Sequence, residues 1–354
     1  VSSDGRLARR QIPRGSGQRD GPGISPEDIA DHNSRATLAL LLRHGPLTRQ
    51  ELSGQLGLTE PAVTGILKRL AGAGLVQQGR RESGDKAARF SPLVDGAYGF
   101  GLWLGPDGGR AAVVDLSGRA IHTQAFAADG LEAAIEDCLA VAPDRLMGVG
   151  IAQHPDCRLD EDRFAKLLAG MPVFFVRDVE AAVAGERMLG IGEPEGGFAV
   201  LLIDEKIRAG LLAGGRFFRG THGRAGDIGQ MRPARGEPSL EDVASVRAYE
   251  TCLAEHGESA IDAWMQQAAS RLLDAVLAIA GFVSPGAILI GGNLPRAVLE
   301  GLVEHMLADR DKKGSYFVAA PWIPPIRPLS LGYDDLALGA GLLPLMERLL
   351  PKQA

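Results

Sequence analysis

The chain has 354 residues, 45% of them hydrophobic and 23% charged, with a formal net charge of −6. That balance excludes a collagen-like or wholly disordered chain and leaves room for two or three domains of about 100–200 residues each. Charge is uneven: residues 1–92 carry net +5 and the remainder net −11, so an anionic partner is expected at the front only.

Cys138, Cys157 and Cys252 lie far apart and form no C-x-x-C pair. Neither a thiolate zinc site nor a disulfide framework is legible, and a reducing cytoplasm fits. The polar N-terminus has no apolar core of a signal peptide. The longest apolar run, "AVLAIAGFV" (275–283), is too short for a bilayer and predicts a buried helix.

Residues 1–30 are rich in Arg, Gly, Ser and Pro and read as a disordered basic tail, with structure starting near Ser25-Pro26 or Asn33. Residues 31–95 read as three short helices and a hairpin. "SRATLALLLRHG" (34–45) puts Leu38, Leu41 and Leu42 on one face and stops at Gly45. "LTRQELSGQLG" (47–57) offers Thr48 and Glu51 as a capping box. Thr59 is expected to cap the third helix (60–74), whose Val63, Ile66, Leu67 and Leu70 repeat at helical spacing. The hairpin "LVQQGRRESGDKAARFSPL" (75–93) then completes a winged helix-turn-helix. Its third helix would enter a DNA groove. The residues assigned to DNA are Arg35, Arg49, Thr59, Glu60, Thr64, Lys68, Arg69, Arg80, Arg81, Lys86 and Arg89. The bland alternative is a helical interaction module with a solvated basic face.

From residue 97 strands lead. A meander of three strands (97–127) is followed by alternating helix and strand, and a second such series begins near residue 197. This predicts an α/β body of two related lobes, 96–176 plus 335–354 and 177–334, with a cleft between them.

The stretches "GRAAVVDLSGRAI", "FFVRDVEAAVAGE", "GRFFRGTHGRAGDIGQM", "SPGAILIGGNLP" and "LGYDDLALGAGLL", in this order behind a helix-turn-helix, resemble the ROK family (repressors, open reading frames and kinases of sugars). The resemblance covers nearly all the chain from about residue 32. It implies the actin-like, ribonuclease H-like two-lobe ATPase fold, and either sugar phosphorylation with ATP or repression controlled by sugars or sugar phosphates.

The resemblance also shows what has changed. Trp103 stands where the family's first phosphate loop has an acid, and an indole cannot support a Mg²⁺ shell. "DEKIRAG" (204–210) replaces a glycine-rich second phosphate loop, with two acids that would repel phosphate. Gln230 replaces a zinc-binding His, and Ser239 replaces the last zinc Cys, so no metal and no cofactor are expected. The ligand-binding candidates carried over are Asp178 (the family's catalytic base), Glu180, His222, Asp227, Gln230 and Glu241. Asp178, beside Arg177, is expected to be ionised, with its pKa lowered if the two pair. It could equally cap the helix that begins at Val179.

The expectation is a sequence-specific DNA-binding regulator, a repressor of carbohydrate-related genes, with a catalytically inactive sugar-kinase-like body. It would bind double-stranded operator DNA and a sugar or sugar-phosphate effector, form a homodimer or homotetramer, and stay in the cytoplasm away from membranes. The alternatives are a ligand-independent regulator whose body only dimerises or docks a protein, and an active ROK kinase.

Overall fold

A computed structural model of the chain describes residues 26–79, 87–141, 144–157, 160–168, 170–314 and 323–351. The front unit contains α1 (Pro26–His44), β1 (Leu47–Thr48), α2 (Arg49–Leu56), α3 (Glu60–Gly72), β2 (Val76–Gln78) and β3 (Arg89–Pro92). Helix already begins at Pro26, so residues 26–30 are not tail; residues 1–25 lie outside the described residues. The α2 capping box forms as the Thr48/Glu51 spacing predicts, and Gly57 closes that helix at φ 64°. Thr59 occupies the cap position of α3 in an extended conformation, but its hydroxyl makes no capping bond. The hairpin β2–β3 has a third strand, because Leu47–Thr48 pairs with Arg89–Phe90.

Val63, Ile66, Leu67 and Leu70 of α3 are all buried. They pack with Leu38, Leu41, Leu52 and Phe90 in one cluster that continues into Val114, Leu116, Leu342 and Leu345 of the body. The front unit therefore shares its core with the first lobe.

That lobe holds β4 (Tyr98–Gly105), β5 (Gly108–Asp115), β6 (Ala120–Ala127), α4 (Leu131–Val141), β7 (Leu146–Gln153), α5 (Glu161–Leu167) and β8 (Val173–Arg177). After α6 (Asp178–Leu189) come β9 (Phe198–Ile203), β10 (Ile207–Ala213), β11 (Arg216–Phe217), α7 (Leu240–Ala244), α8 (Val246–His256), α9 (Ile261–Val283), β12 (Ile288–Gly292), α10 (Arg296–Gly314) and β13 (Ile326–Pro328). The chain ends on α11 (Leu336–Leu349), which packs back on β4, β5 and β7.

The two body sheets have matching orders, β6-β5-β4-β7-β8 and β11-β10-β9-β12-β13. In each, an antiparallel meander is extended by two parallel strands. That is the expected repeat. Close backbone contact joins α11 to the first sheet: a Cβ on Gly99 or Gly101 would lie within 2 Å of α11 carbonyl oxygens.

The run 275–283 is helical, as expected, but only partly buried. Ala275, Val276 and Ala280 are buried, whereas Phe282 is 93% exposed. No helix among the described residues is long and apolar enough to cross a membrane.

Candidate functional site

The front unit leaves one face of α3 open. Thr59, Glu60, Thr64, Lys68 and Arg69 are exposed along it, because the opposite stripe is spent on the core. The Thr64 hydroxyl donates to the Glu60 carbonyl at 2.9 Å, and Arg69 reaches Ser34 at 3.4 Å.

Two assigned DNA contacts point elsewhere. Arg35 donates to the carbonyls of Glu347 at 3.0 Å and Leu350 at 3.2 Å, a cation on the C-terminal end of α11, where the helix dipole favours it. Arg49 lies over the Phe90 ring, 5.0 Å from its centroid. Arg89 is partly engaged, with Pro46 at 3.0 Å and Glu51 at 3.4 Å. Arg80, Arg81 and Lys86 lie outside the described residues.

The second candidate region is the junction of the lobes. Asp178, at the start of α6, is fully buried. One of its oxygens accepts from the Val179 N–H at 2.7 Å and the other from Arg208 of β10. Arg177 instead donates to Asp227 at 3.4 Å and the Ala225 carbonyl at 2.8 Å. The expected lowering of the Asp178 pKa is therefore reversed. Burial pushes its carboxyl above the ordinary value, and Arg208 with the Val179 N–H only partly offsets that.

The other ligand candidates are similarly engaged. Glu180 accepts from Arg219 at 2.8 and 2.5 Å. Glu241 accepts from Gln230 at 2.6 Å and from the Ile207 N–H at 3.1 Å. His222 is exposed in a short turn at φ 59°. The loop "THGRAGDIGQ" (221–230) is fastened to β10: the Gly226 carbonyl accepts from the Ala209 N–H at 2.8 Å, and a Cβ on Gly226 would strike the Ala209 carbonyl. Asp178, Asp227 and Glu241 thus each face a different protein partner rather than one shared opening. Beside Gln230 and Glu241 an open groove of about 860 Å³ runs along α8 to Trp264.

A further set of contacts links the lobes where "DEKIRAG" turns from β9 to β10. Asp204 is buried and bonds His154 Nε2 at 2.8 Å and the Tyr333 hydroxyl at 2.5 Å. Lys206 pairs with Asp156 at 2.6 Å. Burial acts to raise the Asp204 pKa, but the bonds from His154 and Tyr333 hold it below the ordinary value. The hydrogen bond from Lys206 lowers that of Asp156. Tyr333 packs edge-on against Trp103, centroids 5.3 Å apart, and its phenol is raised by burial and by Asp204. Among the described residues no group of three His, Cys, Asp or Glu side chains is placed to hold a metal ion.

His154, Arg208, Arg219 and Tyr333 were not singled out from the sequence. Only Arg208 left a signal: it is a charge inside the otherwise apolar strand "IRAGLLA".

A family model described as the MarR family matches residues 32–85. The bifunctional enzyme NanE/NanK of Brucella suis biovar 1 (strain 1330) is 31% identical over 206 residues, covering 53% of this chain and 37% of that enzyme. The xylose repressor of Bacillus spizizenii is 22% identical over 240 residues, covering 58% of this chain and 62% of the repressor. The solved structure of a ROK family transcriptional regulator, a homolog of the E. coli MLC protein, matches 91% of this chain and 98% of its own, with TM-score 0.73 at 19% identity.

The chain has the ROK fold with a winged helix in front. A ROK hexokinase from Thermus thermophilus matches 69% of this chain and 97% of its own, with TM-score 0.55 at 24% identity. Within the ROK fold the junction of this chain is closed by its own side chains. Trp103, Asp204 and Arg208 all take part, and Asp204 and Arg208 both lie in "DEKIRAG" (204–210).

Proposed function

We propose that the chain is a sequence-specific DNA-binding transcriptional regulator, a repressor of carbohydrate-related genes, whose sugar-kinase-like body has no catalytic activity. The open face of α3, carried on a unit that shares its core with the body, is the observation that supports DNA binding most. Its N-terminal residues Thr59, Glu60 and Thr64 would meet base edges, and Lys68 and Arg69 phosphates.

Loss of catalysis is supported by the fate of Asp178. A general base must reach the proton it removes, and this carboxylate is buried on Arg208. Asp204 and Glu205, in the stretch read by resemblance as replacing a glycine-rich phosphate loop, would repel phosphates.

The body would act on the DNA head through α11. Tyr333, one turn before that helix, bonds Asp204 at the junction, and Arg35 caps its other end. A sugar or sugar phosphate that opened the junction would move both ends of one rigid helix. The groove beside Gln230 and Glu241 gives such an effector room.

A second reading, regulation without a ligand, draws support from the internal pairing of Asp178, Glu180, Asp227 and Glu241. A gel-shift assay on the DNA upstream of the chain's own gene tests the main reading. A retarded band that survives competitor DNA is expected, and no shift even at low salt would contradict it. A thermal-shift panel of sugars and sugar phosphates separates the readings, since a bound effector raises the melting temperature.

A further inference from the structure

Two opposed stripes run along α3 at the same spacing. Val63, Ile66, Leu67 and Leu70 face the core. Pro61, Thr64, Gly65 and Lys68 stand at i, i+3, i+4 and i+7 on the other side. Pro61, Thr64 and Lys68 are exposed and Gly65 is half-buried. Apart from the Lys68 amine, this outer stripe offers a pyrrolidine ring, a threonine and bare backbone.

The fold itself gives no reason for glycine at 65. The residue lies in mid-helix, where glycine is weaker than alanine. Its φ is not positive. A Cβ added there would meet nothing nearer than an Arg69 nitrogen at 4.0 Å. Neither a left-handed turn nor a crowded neighbour calls for the missing side chain, which leaves close approach of a partner from outside.

Thr64 presents its apolar side. Its hydroxyl donates to the Glu60 carbonyl at 2.9 Å, the bond to i−4 that a helical threonine makes with its own backbone. A hydroxyl turned onto its own helix leaves the methyl to face outward.

In the major groove of DNA, thymine presents an apolar group, its C5-methyl, and a threonine methyl is one of its side-chain partners. Purines read through paired hydrogen bonds call for Arg, Lys, Asn or Gln, and residues 60–67 hold none of these. A protein partner fits less well, because protein contacts are anchored mostly by Trp, Tyr and Arg and this stripe is narrow and small. Charge points the same way, with net +5 on residues 1–92 against net −11 on the remainder.

We infer that α3 selects its site through thymine methyl groups: the Thr64 methyl packs on one, and Gly65 lets the helix backbone close on the base edge beside it. Lys68, one turn on, holds a neighbouring phosphate. The inference rests on the reading of the chain as a DNA-binding regulator, and names the chemical group that is read.

Randomised duplexes selected on the purified full chain test it. The enriched site is resynthesised with uracil in place of thymine, one position at a time, since uracil lacks only the methyl. At one position or more in each half-site, the wild-type chain is expected to bind the uracil form about fourfold more weakly, the worth of one buried methyl. Thr64→Ser keeps the hydroxyl and loses the methyl, and should bind the two forms of that duplex equally. Gly65→Ala should bind the site about tenfold more weakly while its melting temperature holds or rises by about 1 °C, a split that a merely structural glycine would not give. An enriched site indifferent to uracil at every position, an undiminished uracil penalty in Thr64→Ser, or full affinity in Gly65→Ala would each overturn the inference and leave DNA binding standing. A pool that enriches no sequence would overturn the DNA-binding reading, and the inference with it.

Discussion

Arg208 and Asp178 form an ion pair with both side chains withdrawn from solvent, 5% and 0% exposed. Asp178, which the sequence resemblance offered as a catalytic base, faces a guanidinium of its own chain. Two further nitrogens of Arg208, Nε and Nη1, have no hydrogen-bond partner among the described residues. The pair is therefore expected to be costly to break from one side. Asp178→Ala should destabilise the fold by about 3–5 kcal/mol in urea melts, because it strands a buried cation. Asp178→Leu combined with Arg208→Met should recover most of that loss. A double variant no better than Asp178→Ala would mean that the two residues are not coupled.

The Asp204 contacts predict a pH dependence. In the folded chain this carboxyl titrates below its ordinary value of 3.8. The folded state thus binds the proton less readily than the unfolded one, and stability from this group is present above 3.8 and lost as pH falls through the lower folded value. Asp178 acts in the opposite sense, losing stability as pH rises from 3.8 through its raised folded value. Asp204→Asn should cost roughly 1–3 kcal/mol near neutral pH and flatten the acid limb of a stability profile. An acid limb identical to wild type would count against a charged Asp204 at the junction.

Much of the architecture was legible because it rests on local rules. The Thr48/Glu51 spacing made its capping box, and the stripe Val63–Ile66–Leu67–Leu70 became the buried face of α3. The duplicated strand pattern became two sheets of equal order. What stayed hidden depends on distant partners. Arg208 meets Asp178 across 30 residues and Arg35 meets Glu347 across 312, and no spacing rule reaches that far. β1 and β13, of two and three residues, are strands only because a neighbour pairs with them. Asp178 meets Arg208 rather than adjacent Arg177, and burial, which Arg208 only partly offsets, raises its pKa.

Nucleotide binding is expected to be absent. Millimolar Mg-ATP should leave the melting temperature unchanged, whereas binding at a thousandfold excess over Kd would add about 4 kcal/mol. Micromolar binding by calorimetry would contradict the non-catalytic reading.

Arg35 and Lys68 should separate structure from recognition. Arg35→Ala should lower the melting temperature, by removing the cap of α11, while leaving the salt dependence of DNA binding unchanged. Lys68→Ala should do the reverse, reducing the slope of log affinity against log salt by about one. Salt titrations followed by fluorescence anisotropy make the comparison. Equal slopes for Lys68→Ala and wild type would remove Lys68 from the phosphate contacts.

Selection of DNA by the purified chain tests α3 as a reading helix most directly. Sheared DNA of the source genome is captured by the wild-type protein and by a Thr64→Ala/Lys68→Ala variant, and the retained fragments are sequenced. The account predicts a recurring twofold-symmetric motif that the wild type enriches and the variant does not. Fragments without a common motif, or equal enrichment by both proteins, would contradict α3 as the reading helix of a DNA-binding regulator.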